Sequence, residues 1–227
     1  MMENLIWLIP ICLVCYVIGN INFSVIISKR KMKKDIRHTG SGNAGTTNML
    51  RAFGFKWAVI ILFLDIAKGV ATALVGYGLF GFGSTNGTIA LFSCGLASVL
   101  GHCFPVFYKF RGGKGVATMV GVFMVASPVV AIIAFLIGVI YVFIWEYAAV
   151  SSIIFVSTVI THNILIWGDV LVVALLLCGF YFLFCFMHRK NILRLLRGTE
   201  NKASPLKKLK TKNIAKKQEE WIKEVNA

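Results

Sequence analysis

Acidic residues are scarce in this chain. Nine Asp and Glu stand against 24 Lys and Arg in 227 residues, and charged side chains of both signs make up only 15%. A soluble domain carries about a quarter. With 58% hydrophobic residues and a mean hydropathy of +0.79, the polar groups are too few to cover a globular surface, which excludes a soluble fold. The same composition excludes disorder, because ample apolar surface is available for burial. Grouped carboxylates of the kind that hold a divalent metal are also missing, so neither metal nor cofactor is expected. A disulfide framework is not expected either. The six cysteines fall within or at the ends of apolar runs, and the Cys12-x-x-Cys15 pair has no second Cys/His cluster to accompany it. Those two cysteines read as small apolar residues on adjacent helical turns.

What the chain has is long apolar runs. They cover 5–27, 57–80, 88–104, 116–126, 128–145, 147–166 and 170–187. The first is too long for a signal peptide, follows Glu3 and ends in Ser28-Lys29-Arg30-Lys31, so it reads as a span. The expectation is an all-α integral membrane protein with seven transmembrane helices, the run at 116–126 being the shortest. Charge orients it. Eight of the basic residues lie in 29–56, three in 109–114 and twelve after Met187, with Lys68 alone inside a span. The turns at 81–87, around Ser127 and at 167–169 carry none. Seven spans put every basic segment on one side, which places the amino terminus outside and the carboxyl terminus in the cytoplasm. Basic blocks beside spans suit membrane lipids, not nucleic acid.

Asp65 and Lys68, at i and i+3 inside the second run, can pair, either to neutralise each other or to orient a polar site. Asn20 and Asn22 read as polar glue between helices, and His162 with Asn163 as interfacial residues. The basic loops hold the chemistry. Gly40-Ser41-Gly42-Asn43-Ala44-Gly45-Thr46-Thr47-Asn48, followed by Arg51, fits a GxGxxG pattern without the preceding strand that a dinucleotide site needs. Its glycines still expose backbone N–H groups, and Ser41, Asn43, Thr47, Asn48 and Arg51 add donors for a phosphate. Arg111-Gly112-Gly113-Lys114-Gly115 opens a helix and makes a second oxyanion cradle; Gly115 stands where a Walker A loop has Ser or Thr. His188, Asn191 and Arg194 share a helix face at the membrane boundary. Three polar segments thus converge on one interface, suited to two phosphate-bearing substrates, one of them lipidic.

These segments resemble the acyl-phosphate-dependent glycerol-3-phosphate acyltransferases, the PlsY family. The run from Gly40 to Arg51 is similar to GSGNxGATNxxR. Gly101-His102-Cys103-Phe104-Pro105 through Thr118 is similar to GHxFPxxxxFxGGKGVAT, Asp65-Ile66-Ala67-Lys68-Gly69 to DxxKG, and His188 through Glu200 to HRxNIxRLxxGxE. The resemblance implies a membrane-embedded acyltransferase domain over 1–200 and a basic cytoplasmic tail over 201–227. It also implies a bacterial inner-membrane location with the active site facing the cytoplasm. The reaction implied moves an acyl chain from acyl phosphate to the 1-hydroxyl of glycerol 3-phosphate, giving lysophosphatidic acid and phosphate. Ser41, Arg51, Lys114 and His188 are the expected catalytic residues. The expected substrate contacts are Gly40, Gly42, Asn43, Thr47, Asn48, His102, Arg111, Gly112, Gly113, Ser152, Asn191, Arg194 and Glu200, with Asp65 and Lys68 orienting. Three positions depart from the pattern. Thr46 replaces an Ala, Ala149 replaces a Ser, and Glu146 stands at a commonly basic place. Ala149 and Ser152 are expected at the acceptor pocket, with Glu146 opposing an anionic acceptor. A weakly active or specialised paralogue is the variant reading.

An acyl phosphate is already activated, so its leaving group needs charge stabilisation, which Lys114, Arg51 and the loop N–H groups supply. The HxxxxD dyad of acyl-CoA-type enzymes is absent: Asn43, Phe107, Trp167 and Leu193 stand five residues after His38, His102, His162 and His188. The proton acceptor is then a substrate phosphate oxygen, or His188 or His102. An organic-anion transporter would share the cationic pocket, but the hydropathy has no paired halves. A CDP-alcohol phosphatidyltransferase would need clustered aspartates.

Overall fold

The computed structural model describes residues 6–205, so 206–227 of the basic tail lie outside the described residues. The described chain is all-α. Nine α-helices follow in order: α1 Leu8–Gly19, α2 Phe23–Met32, α3 Thr46–Phe53, α4 Phe55–Phe80, α5 Thr85–Cys103, α6 Val116–Ala126, α7 Pro128–Trp145, α8 Ala148–Trp167 and α9 Leu171–Leu196. Six stretches are long and apolar enough to cross a bilayer: Leu8–Met32, Phe55–Phe80, Thr85–Tyr108, Pro128–Trp145, Ala148–Trp167 and Leu171–Leu196. The protein is an integral membrane protein that passes the membrane several times.

The seven expected spans are six long stretches and a short one at the expected place, 116–126. At 11 residues α6 is about 16 Å long, roughly half a hydrocarbon core. It keeps its backbone away from lipid by packing against α4, α5 and α7, and residues 118–123 are all buried. The first apolar run is also broken. Asn20, Ile21 and Asn22 separate α1 from α2, and Asn22 caps α2 by accepting from Val25 N at 3.1 Å. Asn20 accepts from Val106 N and so ties the break to the loop after α5. The polar-glue reading fits Asn20; Asn22 is a correction, since its side chain serves the start of its own helix and not a neighbouring one. Asn163 is a correction: it is buried, not interfacial, and donates to Ser127 Oγ at 2.9 Å across the α6–α7 corner. Cys12 and Cys15 are free thiols, and Cys12 Sγ lies 4.0 Å from Cys94 Sγ on α5.

Close helix approach needs small residues, because hydrocarbon lipid offers no hydrophobic drive for helix association. A Cβ on Gly69 of α4 would lie 2.1 Å from Thr118 O, and one on Gly121 of α6 would lie 2.1 Å from Ile66 O. These reciprocal contacts press α6 onto α4. The aromatic core behind them packs Phe92, Phe123 and Phe180 edge-on or tilted, with ring centroids 5.4–6.4 Å apart. On α7, Val129, Ile133, Leu136, Ile140 and Ile144 recur at helical spacing and are exposed, which marks a lipid-facing stripe.

Gly69→Ala should therefore lower stability in detergent by roughly 1–3 kcal/mol through overpacking against backbone. Gly179→Ala, whose Cβ would meet only a Leu96 methyl at 3.4 Å, should leave the thermal midpoint unchanged or raise it.

Candidate active site

A cavity of about 800 Å³ opens where the three polar segments meet. The first wall is the loop ahead of α3. Gly40 and Gly42 adopt positive φ of 60° and 72°, which turns the chain back on itself. Asn48 holds the turn from inside. Its Oδ1 accepts from Ser41 N at 3.0 Å, and its Nδ2 donates to Ile36 O, Thr39 O and Asn43 O at 3.2, 2.8 and 3.0 Å. Asp35 and Arg37 anchor the base of this loop. The Arg37 guanidinium holds the Asp35 carboxyl well below the usual carboxylate range, and Arg37 Nη1 donates to Tyr108 O in the second loop. Ser41, Gly42, Asn43, Thr46 and Thr47 are left facing the cavity.

The second wall is the glycine segment before α6. Lys109 and Phe110 sit at φ 55° and 57°, a left-handed pair of the kind that clusters at functional sites. Gly112 N donates to Cys103 O at 3.2 Å and Gly113 N to His102 O at 3.1 Å, which folds the segment onto the end of α5. Lys114 then points across the cavity to Asn191 Oδ1 on α9. The third wall is α9 itself, which runs unbroken past the expected end of the span to Leu196. His188, Asn191 and Arg194 are on its inner face. The carbonyl of Phe184 lies 3.1 Å from His188 Nδ1 and can only accept, so Nδ1 carries a proton, and in the neutral ring Nε2 keeps its lone pair.

Charge is concentrated here. Arg51, Lys114 and Arg194 all line the cavity, and Glu200 accepts from Asn191 Nδ2 at 2.7 Å and from Arg194 Nε at 2.8 Å. Burial pulls the Lys114 ammonium down to about 8, against the attraction of Glu200, and Arg194 and Arg51 add to the lowering. Burial also lowers the Arg51 guanidinium from its ordinary value, with Glu200 opposing. Arg51 Nε and Nη2 donate to Lys202 O and Asn201 O at 3.1 and 2.9 Å. The chain at 199–205 is thereby strapped along the cavity rim, with Ala203 buried against Leu50 and Ala58 and Ala203 N donating to Glu146 O at 2.8 Å.

Most residues singled out in the sequence meet at this cavity, but their tasks divide. Asn48 spends its amide on the loop, and Gly40 serves the turn without lining the cavity. Gly113 is packed between His102 Nε2 and Ala44 O, 2.1 and 2.7 Å from where a Cβ would stand. Ser152 faces the cavity yet donates to Ala148 O at 2.8 Å. Glu200, an anion, orders the cations. Asp65 and Lys68 pair at 2.8 Å and recruit His102. Ala149 lines the cavity as expected, but Glu146 does not: its side chain turns to Lys202 at 3.7 Å, and so exposed a pair is worth under about 1 kcal/mol. Sequence reasoning missed the strap, whose one signal was Ala203 and Pro205 interrupting a basic run. It also missed the apolar end of the cavity, where Phe55, Val59 and Phe63 of α4 face Phe135, Val139 and Val142 of α7.

A cavity with cations and two glycine-rich loops at one end and apolar helix faces at the other defines a polytopic membrane protein whose site suits an amphiphilic anion. Comparison with known proteins narrows this. The family model described as glycerol-3-phosphate acyltransferase matches residues 9–198. A glycerol-3-phosphate acyltransferase of Thermoanaerobacter pseudethanolicus is 44% identical over 192 residues, 84% of this chain and 92% of the relative. One of Finegoldia magna is 36% identical, over 88% and 98%. A crystal structure of PlsY, an integral membrane glycerol 3-phosphate acyltransferase, in its glycerol 3-phosphate form superposes with a TM-score of 0.77 at 38% identity, covering 86% of this chain and 95% of that one. Its lysophosphatidic acid form gives 0.75 at 37%, covering 89% and 98%. The chain belongs to the glycerol-3-phosphate acyltransferase family.

The Lys114 ammonium is present below about pH 8 and lost above it. If charge at this position binds substrate phosphate, kcat/KM should fall as pH rises through about 8. Lys114→Arg, which stays charged, should move that fall out of the measured range.

Proposed function

We propose that this protein transfers a fatty acyl group from acyl phosphate to the 1-hydroxyl of glycerol 3-phosphate, giving lysophosphatidic acid and phosphate, an early step of phospholipid synthesis. The supporting observation is the joining of two chemistries in one cavity. Its polar end carries Arg51, Lys114, Arg194 and two glycine-rich loops, and its apolar end runs about 12 Å along α4 from Phe55 to Phe63. Related structures in glycerol 3-phosphate and lysophosphatidic acid forms support an acceptor and a product of this kind.

In this reading the acyl chain lies between α4 and α7, and its phosphate is held by Lys114 and the N–H groups opening α6. Arg51, Arg194 and the Ser41 loop hold the acceptor's phosphate, so that the hydroxyl approaches the acyl carbon. The carbonyl oxygen gains charge as the hydroxyl oxygen attacks, and the C–O bond to phosphate then breaks. Cations and N–H groups already in place stabilise the departing phosphate without reorganisation. The hydroxyl proton goes to a phosphate oxygen or to the lone pair of His188 Nε2. In this reading the basic loops and tail face the cytoplasm and the amino terminus lies outside, which the one-sided distribution of Lys and Arg supports; the bacterial relatives support the inner membrane of a bacterium.

The test is purified protein in vesicles with acyl phosphate and labelled glycerol 3-phosphate, with lysophosphatidic acid as the readout. Each charge-assisted contact is worth about 1.5–3 kcal/mol, so Arg51→Ala and Lys114→Ala should each cost roughly 10- to 150-fold in kcat/KM. Full activity of either variant would remove the assignment. Charge neutralisation falls to side chains and backbone, so chelation with EDTA should leave turnover unchanged.

A further inference from the structure

His102 sits at the junction between the cavity and a charged pair in the interior. Asp65, Lys68 and His102 are 1%, 5% and 3% exposed; Asp65 and His102 line the cavity and Lys68 does not. The ring presents Nδ1 to the charged pair (inward) and Nε2 to Gly113 (outward). Inward, Nδ1 has two polar neighbours. Lys68 Nζ is 2.8 Å away, within hydrogen-bond range, and Asp65 Oδ1 is 3.5 Å away, beyond it. Lys68 is itself 2.8 Å from Asp65 Oδ1, and it lies 3.3 and 3.2 Å from Gly19 O and Ile21 O at the break between α1 and α2. An ammonium has three protons to give and no lone pair, and its three hydrogen-bond contacts are Gly19 O, Ile21 O and His102 Nδ1, with Asp65 as the counter-charge. The contact to Nδ1 then requires that Nδ1 accept. A neutral ring that accepts at Nδ1 carries its proton at Nε2.

Outward, Nε2 makes no hydrogen bond among the described residues, and it abuts the glycine segment. A Cβ on Gly113 would fall 2.1 Å from it, so the ring fits against this segment only because residue 113 is a glycine. We propose that Lys68 is a positioning residue that locks His102 as an Nε2–H donor, aimed at an oxygen of the substrate phosphate seated on the Gly112–Lys114 segment. His102 is then a hydrogen-bond donor and not the base that takes the hydroxyl proton. Asp65 holds the ammonium in place and does not form a dyad with the imidazole. His188 has the opposite arrangement, with Nδ1 donating to Phe184 O and Nε2 left as an acceptor. The two cavity histidines thus have complementary polarity.

The lock itself is independent of the reaction; only what Nε2–H donates to rests on the acyltransfer reading. The chain has four histidines, so 15N-histidine labelling of protein in nanodiscs gives a tractable spectrum, with His102 identified by its loss in His102→Gln. The expected result is a neutral His102 with its proton on Nε2. A proton on Nδ1, or on both nitrogens, overturns the proposal. In Lys68→Met the ring is freed to donate from Nδ1 to Asp65, and the tautomer should change; an unchanged tautomer removes Lys68 from the role. Should Lys68→Met fail to fold, kinetics decide. A glutamine amide replaces the Nε2–H donor and has no basicity, so His102→Gln should lose no more than about tenfold in kcat, whereas His102→Leu should lose roughly 10²–10³-fold, the cost of one lost transition-state donor. Equal losses in both variants overturn the donor role. Wild-type protein inactive with acyl phosphate would sink the acyltransfer reading and leave the tautomer result standing.

Discussion

One buried ammonium organises the polar half of the molecule. Lys68 reaches from the middle of α4 to the carbonyls of Gly19 and Ile21, the carboxylate of Asp65 and the ring of His102. A lysine at that depth is costly unless each of its protons finds an acceptor, and here the acceptors come from α1, α4 and α5. The break between α1 and α2 is part of this arrangement. An intact helix would use those carbonyls internally; the break releases them for Lys68, and Asn22 caps the helix that restarts after it. The loop after α5 is held by Asn20 through Val106 N, so the position of the second glycine segment follows from the same centre.

The second constraint is the shortness of α6. At eleven residues α6 is less than half as long as α4 or α9, and the Gly69–Gly121 contact pins it against α4. Lys114 is thereby carried into a buried place where its charge is expensive, which is why its ammonium is held with so little margin. A cation partly stripped of water binds an incoming phosphate more strongly than one on a surface, because the charge is no longer satisfied by solvent. Glu200 and Asn191 moderate that charge. The strap at 199–205 occupies Arg51 through backbone carbonyls, which are weaker partners than a phosphate would be.

Much of this was legible in the sequence because it rests on local signals. Apolar run length placed the helices: α6 and α7 begin and end where the runs at 116–126 and 128–145 do. The i, i+3 spacing announced the Asp65–Lys68 pair. The glycine- and asparagine-rich composition of the loop at 40–48 announced a tight turn, and the shared face of His188, Asn191 and Arg194 followed from helical periodicity. The long motifs were specific enough to indicate the family.

Tertiary structure alone decided how these pieces were used. Spacing cannot say that Asn48 spends every donor on its own loop, that Asn163 turns inward to Ser127, or that Glu146 faces Lys202 and not the cavity. Nor does it reveal that Lys68 meets a ring 34 residues away or that Arg51 meets carbonyls 150 and 151 residues away. These outcomes depend on which partner comes within about 3 Å once the helices have packed, and hydrogen-bond energy falls off too steeply for sequence proximity to stand in for it. Composition and periodicity determined that the chain is a membrane protein with a cationic, phosphate-suited face. The packing of a short helix against a broken one determined which atoms of that face are left free to act.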